Sequence, residues 1–453
     1  MDFAINVETD VKNFLYLLRE NGVEVSAWWV KCEELMEKYP DGAKRESCIS
    51  WKNLRDEVLE AVENIDSDEP SGLKEIRNTR PTKRMDAYDK LPSETVIRDR
   101  ILAAWQGRIS GCILGKPVEC LMREKDSRAK LKEILTATNA YPLDDYIKGE
   151  TMDYYWSQAK DKPSWFTTGN PSLRENIQYA PSDDDLNYTT ISLEILKRFS
   201  EAFTPDDVLR AWLSLLPYGA VCTAEKIAYR NAVLSMKYPQ TATFMNPYCE
   251  WIGAQIRTDL YGYIYPGQPE KAAELAFNDA ACSHVRNGIY GAMWVSAAIA
   301  AGFLEDDPET VIRRGMEQIP ENSRLYKHLD LTIDACKANP EDYENVFDDI
   351  DERLGEYHCV HTINNACIVA AALILGGRDI GRINSIAVMG GLDTDCNGAT
   401  AGSIAGAMYG TDAISARWID CFNDTLHTAI VEHNVVKISD VAEKTFDWAM
   451  KLK

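Results

Sequence analysis

The 453-residue chain is 45% hydrophobic, enough to bury at least one large core, and its 71 Asp and Glu against 49 Lys and Arg leave a formal net charge of -22. Phosphate backbones are held by clustered Lys and Arg, so this acidic excess excludes nucleic acid as an expected partner. The twelve cysteines are scattered, with no C-x-x-C pair and no Cys/His zinc spacing, which fits reduced thiols in a cytoplasm.

The opening MDFAINVETD lacks the charged-then-apolar pattern of a leader. The first predicted helix runs from Asp10, its cap, to Asn21, with Val11, Phe14, Leu15, Leu17 and Leu18 as apolar residues and Gly22 as its stop. A second carries Trp51, Leu54, Val58, Leu59 and Val62 on one stripe. From Asp66 to Pro92 the chain is charged, punctuated by Pro70, Gly72, Pro81 and Pro92, and reads as a linker or an irregular wrapping segment. A domain boundary is placed there: 1–92 is an accessory helical segment and 93–453 the main domain.

Ser93 is the expected cap of a helix carrying Val96, Ile97, Ile101, Leu102 and Trp105, and Ala-rich helical patterns continue from there to the C-terminus. The expected fold is a compact all-α, multi-helix domain. Two apolar runs, Ile289 to Phe303 and Ala366 to Leu375, are shorter than the roughly 20 residues of a membrane span and read as core helices, so no membrane is expected. No glycine-rich nucleotide loop and no fixed-period repeat occurs.

Two acidic motifs carry the chemistry. Ser182-Asp183-Asp184-Asp185 precedes a helical pattern from Leu186 to Phe199. Ser182 with Asp185 also satisfies a helix-capping pattern, and acidic residues favour a first helical turn. Three adjacent carboxylates exceed what capping needs, and their repulsion suits a hard divalent cation. The second motif, Gly390-Gly391-Leu392-Asp393-Thr394-Asp395-Cys396-Asn397-Gly398, follows the apolar run Ile386 to Met389 and opens a helix in which Gly398, Gly402, Gly406 and Gly410 recur every four residues. That spacing makes a side-chain-free ridge for close approach of another backbone. The opening D-x-D-x-N-G imitates a calcium loop, but Ala401 and Ile404 occupy its ninth and twelfth positions, so the register fails. A phosphatase of the D-x-D type would need an α/β scaffold that the patterning does not offer.

Together with Gly111-Cys112-Ile113-Leu114-Gly115-Lys116-Pro117-Val118-Glu119, a glycine-rich stretch closing on a glutamate, these motifs resemble, in order, those of the ADP-ribosylglycohydrolase family and its dinitrogenase reductase-activating glycohydrolase-like members. The similarity spans about Val96 to the C-terminus. It implies an all-α hydrolase with a central cleft and two Mg2+ or Mn2+ ions, cleaving an N- or O-glycosidic bond at the anomeric carbon of an ADP-ribosyl or related ribosyl group. The substrate is then a small ribosyl or ADP-ribosyl compound or an ADP-ribosylated protein.

By the same resemblance, Ser182, Asp183, Asp184, Asp393 and Asp395 are metal ligands. Glu119, Asp184 and Asp185 are the catalytic carboxylates, with Glu119 or Asp185 as general base. Gly253, Arg257 and His284 lie in substrate-lining segments. The chain departs from the family at Cys112, at Asp185, where a threonine is usual, and at Cys396, where a ligand threonine is usual. Sulfur is a poor donor to a hard cation, so one of the two ions is expected to be weakly held, shifted, or held instead through Asp185 or Asn397. A non-catalytic ADP-ribose or nucleotide binder on the same fold is the alternative. The two N-terminal helices bury too little alone and are expected to dock on the main domain through Phe14, Leu15, Leu18, Trp51, Leu54 and Val58, at the cleft rim.

Overall fold

The computed structural model describes residues 6–40, 45–65, 67–124, 126–158 and 169–453. Among them the fold is all-α, apart from one antiparallel ribbon that pairs Thr425–His427 with Val435–Lys437. No helix among these residues is long and apolar enough to cross a membrane.

Helix α1 (Val7–Glu20) begins earlier than its sequence suggested. Its cap is Asn6, whose Oδ1 accepts from the Thr9 amide at 2.8 Å, while Asp10 lies buried inside the first turns. Gly22, at φ +78°, follows the helix end as expected. Helix α2 (Ser26–Lys38) was not legible, because it buries only Cys32 and so carries no apolar stripe. Helix α3 (Arg45–Glu63) contains the predicted Trp51 stripe. Val11, Phe14, Leu15 and Leu18 of α1 close on Trp51, Leu54 and Val58 of α3, and this small core rests on Cys249, Met245 and Val285 of the main body. The segment up to Pro92 wraps: Arg80 is buried and binds the Gln318 carbonyl at 3.1 Å and Glu270 at 2.9 Å.

An ionic network fastens α1. Glu250 is fully buried between Arg286 (2.6 Å) and Arg324 (2.7 Å), and Arg324 also holds Glu69 at 2.8 Å and the Glu20 carbonyl at 2.7 Å. Glu20 itself accepts from the His358 amide at 2.9 Å, and its other oxygen stands 3.8 Å from His361 Nε2. Burial, reinforced by the neighbouring Glu250 charge, pushes the Glu20 carboxyl up to about 8, with Arg324 and Arg19 pulling the other way. A carboxyl whose folded pKa is raised contributes fully below its unfolded pKa, near 4.5, and loses that contribution as pH climbs through 8. Glu20→Gln, which keeps the neutral shape, should therefore become progressively more stable than the native chain between pH 5 and 9, by on the order of 4 kcal/mol. Urea denaturation across that range checks it; a constant difference between the two proteins refutes a neutral Glu20.

The main body is organised around helix α4 (Glu94–Gly115), capped by Ser93 as expected, with Oγ accepting from the Val96 amide at 3.4 Å. Of helices α5 (Asp184–Phe199), α6 (Thr223–Val233), α7 (Arg286–Gly302), α8 (Thr362–Leu375), α9 (Ile380–Met389) and α10 (Thr394–Tyr409), α9 and α10 pack directly against it and α5 touches it, while α7 and α8 pack on α10 in turn. The apolar runs read as core helices form most of α7 and α8, and both are almost wholly buried.

The glycine ridge of α10 meets a second ridge on α4. A Cβ on Gly107 would lie 2.2 Å from the Gly402 carbonyl oxygen, one on Gly111 2.1 Å from that of Gly398, and one on Gly115 2.3 Å from that of Thr394. Backbone therefore touches backbone along three successive turns. Gly410, the fourth member of the sequence ridge, has φ +76° and ends the helix instead. This contact fixes the end of α4, and the Lys116–Glu119 stretch that follows it, against the start of α10.

Candidate active site

Three helix starts, those of α5, α6 and α10, converge on one cavity of about 300 Å3 at the end of α4. Glu119, Ser182, Asp183, Asp184, Asp393 and Asp395 all line it. Oxygens of Glu119, Asp393 and Asp395 lie within 4.8 Å of one another, as do those of Asp183, Asp184 and Asp185. The structure thus brings together acidic residues that are separated by more than 200 positions in the sequence.

Local chemistry explains how each is aimed. Asp183, not Ser182, caps α5: its Oδ1 accepts from the Asp185 amide at 3.1 Å, while Ser182 Oγ is turned to Asn187 Oδ1 at 3.2 Å. Lys116 binds Asp183 and reaches the Ser182 carbonyl at 3.2 Å. On the other side, Asn365 accepts from the Asp393 amide at 3.2 Å and from Asn397 at 2.8 Å, and Thr394 Oγ1 donates to the Gly115 carbonyl at 2.9 Å. Gly391 and Leu392 both have positive φ, +73° and +57°, so the chain reverses sharply before Asp393. A leucine in that region is uncommon and costs on the order of 1 kcal/mol, a strain typical of functional loops.

The electrostatics are those of crowded acid. Burial, then the Asp183 and Asp185 charges, pushes Asp184 well above the usual carboxylate range; burial, then Glu119 and Asp183, does the same to Asp395. Glu119 is pushed up to about 7 by burial and by Asp393 and Asp183. Asp183 alone moves down, because Lys116 and the Asp185 amide outweigh its burial. Asp395 Oδ1 is buried without a hydrogen-bond partner. A hard divalent cation fits this donor set: it would neutralise the clustered charge and satisfy the orphaned oxygen.

Two residues expected at the cleft, Arg257 and His284, stand behind it, and a third, Asp185, lies between the cavity and the core. Asp185 is fully buried, held by Arg108 Nη2 at 3.2 Å, and accepts the Cys396 thiol at 3.2 Å. Arg108 also binds Asp259 at 2.9 Å, so Asp185 is braced from the buried side, while its carboxylate stays within 4.8 Å of ligand atoms of Asp395 and Cys396 and of Asp183 and Asp184. Arg257 and His284 are likewise about 1% exposed. Arg257 grips Glu225 Oε1 at 2.5 Å, Asp279 Oδ1 at 2.5 Å and Ser283 Oγ at 2.9 Å. Burial and the Arg257 charge hold His284 neutral, and its Nδ1 pairs with Ser283 Oγ at 2.8 Å. Gly253, by contrast, does line the cavity.

Sequence reasoning missed Glu225, Lys116, Thr223 and Cys222, which also line it. Lys116 stood inside the quoted motif and could have been found there; Glu225 had no local signal, since its partner lies 32 residues away. Among the described residues of the N-terminal segment none lines this cavity; Tyr16 and Arg19 line a neighbouring cavity of about 720 Å3, which shares Met122 with the first. Its described residues thus stand beside the cavity, on the side of Met122. The apolar faces of α1 and α3 are satisfied by Cys249, Met245 and Val285 instead.

The family described as ADP-ribosylglycohydrolase matches residues 93–447. A solved structure titled "ADP-ribosylglycohydrolase-related protein complex" is 17% identical and covers 79% of this chain and 100% of its own, with a TM-score of 0.48. Among curated proteins no sequence matches.

Proposed function

The chain belongs to the ADP-ribosylglycohydrolase family, and from that premise we propose that it is a metal-dependent hydrolase cleaving an N- or O-glycosidic bond at the anomeric carbon of an ADP-ribosyl or related ribosyl group. In this reading residues 93–453 are the catalytic domain and 1–92 an accessory segment. The observation that carries it is the meeting of Glu119, Asp393 and Asp395 beside Asp183 and Asp184 in one cavity, with a buried carboxylate oxygen left unpartnered.

Asp183, Asp184, Asp393 and Asp395, with Ser182 beside them, would hold Mg2+ or Mn2+. Bound there, two such ions supply positive charge that orients ribose hydroxyls and stabilises charge developing in hydrolysis. Glu119 is the general base. It lines the cavity beside Asp393 and Asp395 and, in this reading, stays outside the ligand set, which leaves its carboxylate to accept a proton. Glu119 takes a proton from water as the water oxygen bonds to the anomeric carbon, and the glycosidic bond breaks with its electron pair leaving on the aglycone. Asp185, pinned by Arg108, is a positioning residue that sets the start of α5. Release of ribosyl product from a panel of ADP-ribosyl and simple ribosyl compounds, with Mn2+ or Mg2+ and again with chelator, tests the reading. Metal-independent turnover, or binding that persists in chelator without turnover, refutes it.

The second outcome is the non-catalytic binder, and one observation favours it: Cys396 lines the cavity where an oxygen ligand is usual in the family. Burial and the surrounding Asp185 and Asp393 charges keep its thiol protonated, and it donates to Asp185 rather than offering a hard donor. Cys396→Thr should tighten Mn2+ binding by about tenfold in calorimetric titration. Unchanged affinity would show that the cage is already complete without that side chain.

A further inference from the structure

The neighbouring cavity of about 720 Å3 is more than twice as large as the first, and lies within the roughly 300–1,000 Å3 of sites that enclose a ligand of drug size. The two are lined by shared or consecutive residues at three places. Met122 lines both; Leu392 lines the second and Asp393 the first; Cys359 lines the second and Val360 the first. Met122 lies on the short helix Glu119–Arg123, which begins with Glu119 itself. The second cavity therefore starts beside the carboxylates that stand at the reacting bond. Methionine is unbranched and adapts its shape, so the shared residue can yield to a ligand that occupies both sides.

That placement decides which part of a substrate reaches it. With Glu119 taking the proton from the attacking water, the anomeric carbon stands beside Glu119, and the group it carries is the part of the substrate nearest Met122. The 5′ substituent is attached across the ribose ring and lies farther away.

The lining chemistry suits an uncharged body. Met122, Ile350, Leu354 and Leu392 contribute aliphatic surface, and Tyr16, Tyr357 and His358 contribute rings. His358 is stacked on Trp251 at 4.0 Å and 15°, and its Nδ1 accepts from the Val360 amide at 3.2 Å. Burial, then the Arg19 charge, lowers it to about 4, so the ring is neutral. Among the described residues the two arginines of the lining are both committed: Arg19 to Glu356 at 3.1 Å, Arg128 to Glu344 at 2.9 Å and Asp351 at 2.8 Å. Glu124 and Asp126 are exposed, where water screens their charge.

Two of these residues come from outside the part of the chain that matches the family. Tyr16 and Arg19 lie on α1, whereas the match begins at residue 93. Tyr16 is held edge-on between Trp29, at 5.5 Å, and His358, at 5.0 Å, with the Arg19 guanidinium over its ring at 4.9 Å. The ionic network around Glu20 and Glu250 fixes the end of the same helix. The accessory segment thus presents a fixed aromatic wall to a cavity that continues from the active site.

We infer that this second cavity is the aglycone subsite, that it takes a bulky aromatic or branched apolar group, and that Tyr16 of the accessory segment is a specificity-determining residue within it. The inference rests on the ribosyl-hydrolase reading above and names the aglycone side of its substrate class.

The test uses the full chain with Mn2+ and the methyl, benzyl and 2-naphthylmethyl O-glycosides of ADP-ribose, each as both anomers. Their leaving alkoxides are similar in basicity, so differences in rate read the fit of the aglycone. From methyl to 2-naphthylmethyl, kcat/KM should rise by about 30-fold, chiefly through KM, as expected for burial of an aromatic group. Tyr16→Ala should cut that rise to about threefold, with Mn2+ affinity and helical circular dichroism unchanged. Ala129→Trp, at an exposed position that lines the cavity, should narrow it in the same way by filling the space, and needs no loss of packing. Equal kcat/KM for the three glycosides overturns the subsite and leaves the hydrolase reading standing. A rise that neither variant reduces overturns the assignment to this cavity. Weaker calorimetric binding of ADP-ribose itself to Tyr16→Ala places the 5′ end there instead, and also overturns the inference. No release from any glycoside, with affinity that still rises with aglycone size and falls in both variants, overturns the hydrolase reading and keeps the cavity as a binding site.

Discussion

Asp395→Asn is expected to abolish divalent-metal binding and to lower turnover by about 10³-fold or more, while raising the stability of the metal-free protein. The first effect follows from charge: the cation loses one of the carboxylates meeting within 4.8 Å, and a loss of several kcal/mol in charge stabilisation is a factor of this size. The second has the opposite sign. Burial and the Glu119, Asp183, Asp393 and Asp185 charges all push Asp395 upward, so in the metal-free fold its ionised form is disfavoured. A carboxyl raised in this way costs the folded state stability as pH rises above the unfolded carboxylate value near 3.8, and an amide escapes that cost. In chelator at pH 7, Asp395→Asn should therefore melt above the native protein; with Mn2+ the order should reverse, because only the native chain gains binding energy. Melting curves with and without chelator, beside a calorimetric titration, decide both signs. An Asp395→Asn variant that binds Mn2+ as tightly as the native chain removes Asp395 from the ligand set. Asp393→Asn should lose metal in the same way.

How far the site could be read from the sequence depends on the range over which each residue is positioned. The helix at Ser93, the stop at Gly22 and the core helices at 289–303 and 366–375 are set by local caps and by unbroken apolar runs, and they stand where those signals put them. The acidic motifs were legible too, because Asp183 and Asp393 act through their own helix starts. Their neighbours were not. Asp185 looks like its two sequence neighbours, yet Arg108, 77 residues upstream, turns it into the core. Arg257 and His284 sit in recognisable segments but turn toward Glu225, which no periodicity or motif marks. Helix α2 escaped because a helix that buries one cysteine has no stripe to detect. Local chemistry was thus readable, and pairings closed by tertiary structure were not.

Replacing Gly402 with alanine is expected to destabilise the protein by about 4 kcal/mol or to prevent folding, although helix propensity alone predicts a gain of about 1 kcal/mol. The contradiction makes the sign diagnostic. A Cβ on Gly402 would stand 2.1 Å from the Gly107 carbonyl oxygen and 2.5 Å from Asn384 Oδ1. The nearer atom is backbone and cannot rotate away, so α4 and α10 must move apart, opening a seam through the largest helix contact of the fold. Gly111→Ala, with its Cβ 2.1 Å from the Gly398 oxygen, should behave alike, whereas Gly219→Ala, which meets nothing within 4 Å, should stay close to neutral. The same movement reaches the chemistry. Glu119 follows the end of α4, and Asp395 lies in the first turn of α10, so separating the helices pulls apart carboxylates that now lie within 4.8 Å of one another. Any folded Gly402→Ala protein should then bind Mn2+ more weakly as well as melt earlier. A variant more stable than the native chain, with unchanged metal affinity, would show that the two backbones are not in contact and that the glycines serve helix geometry alone.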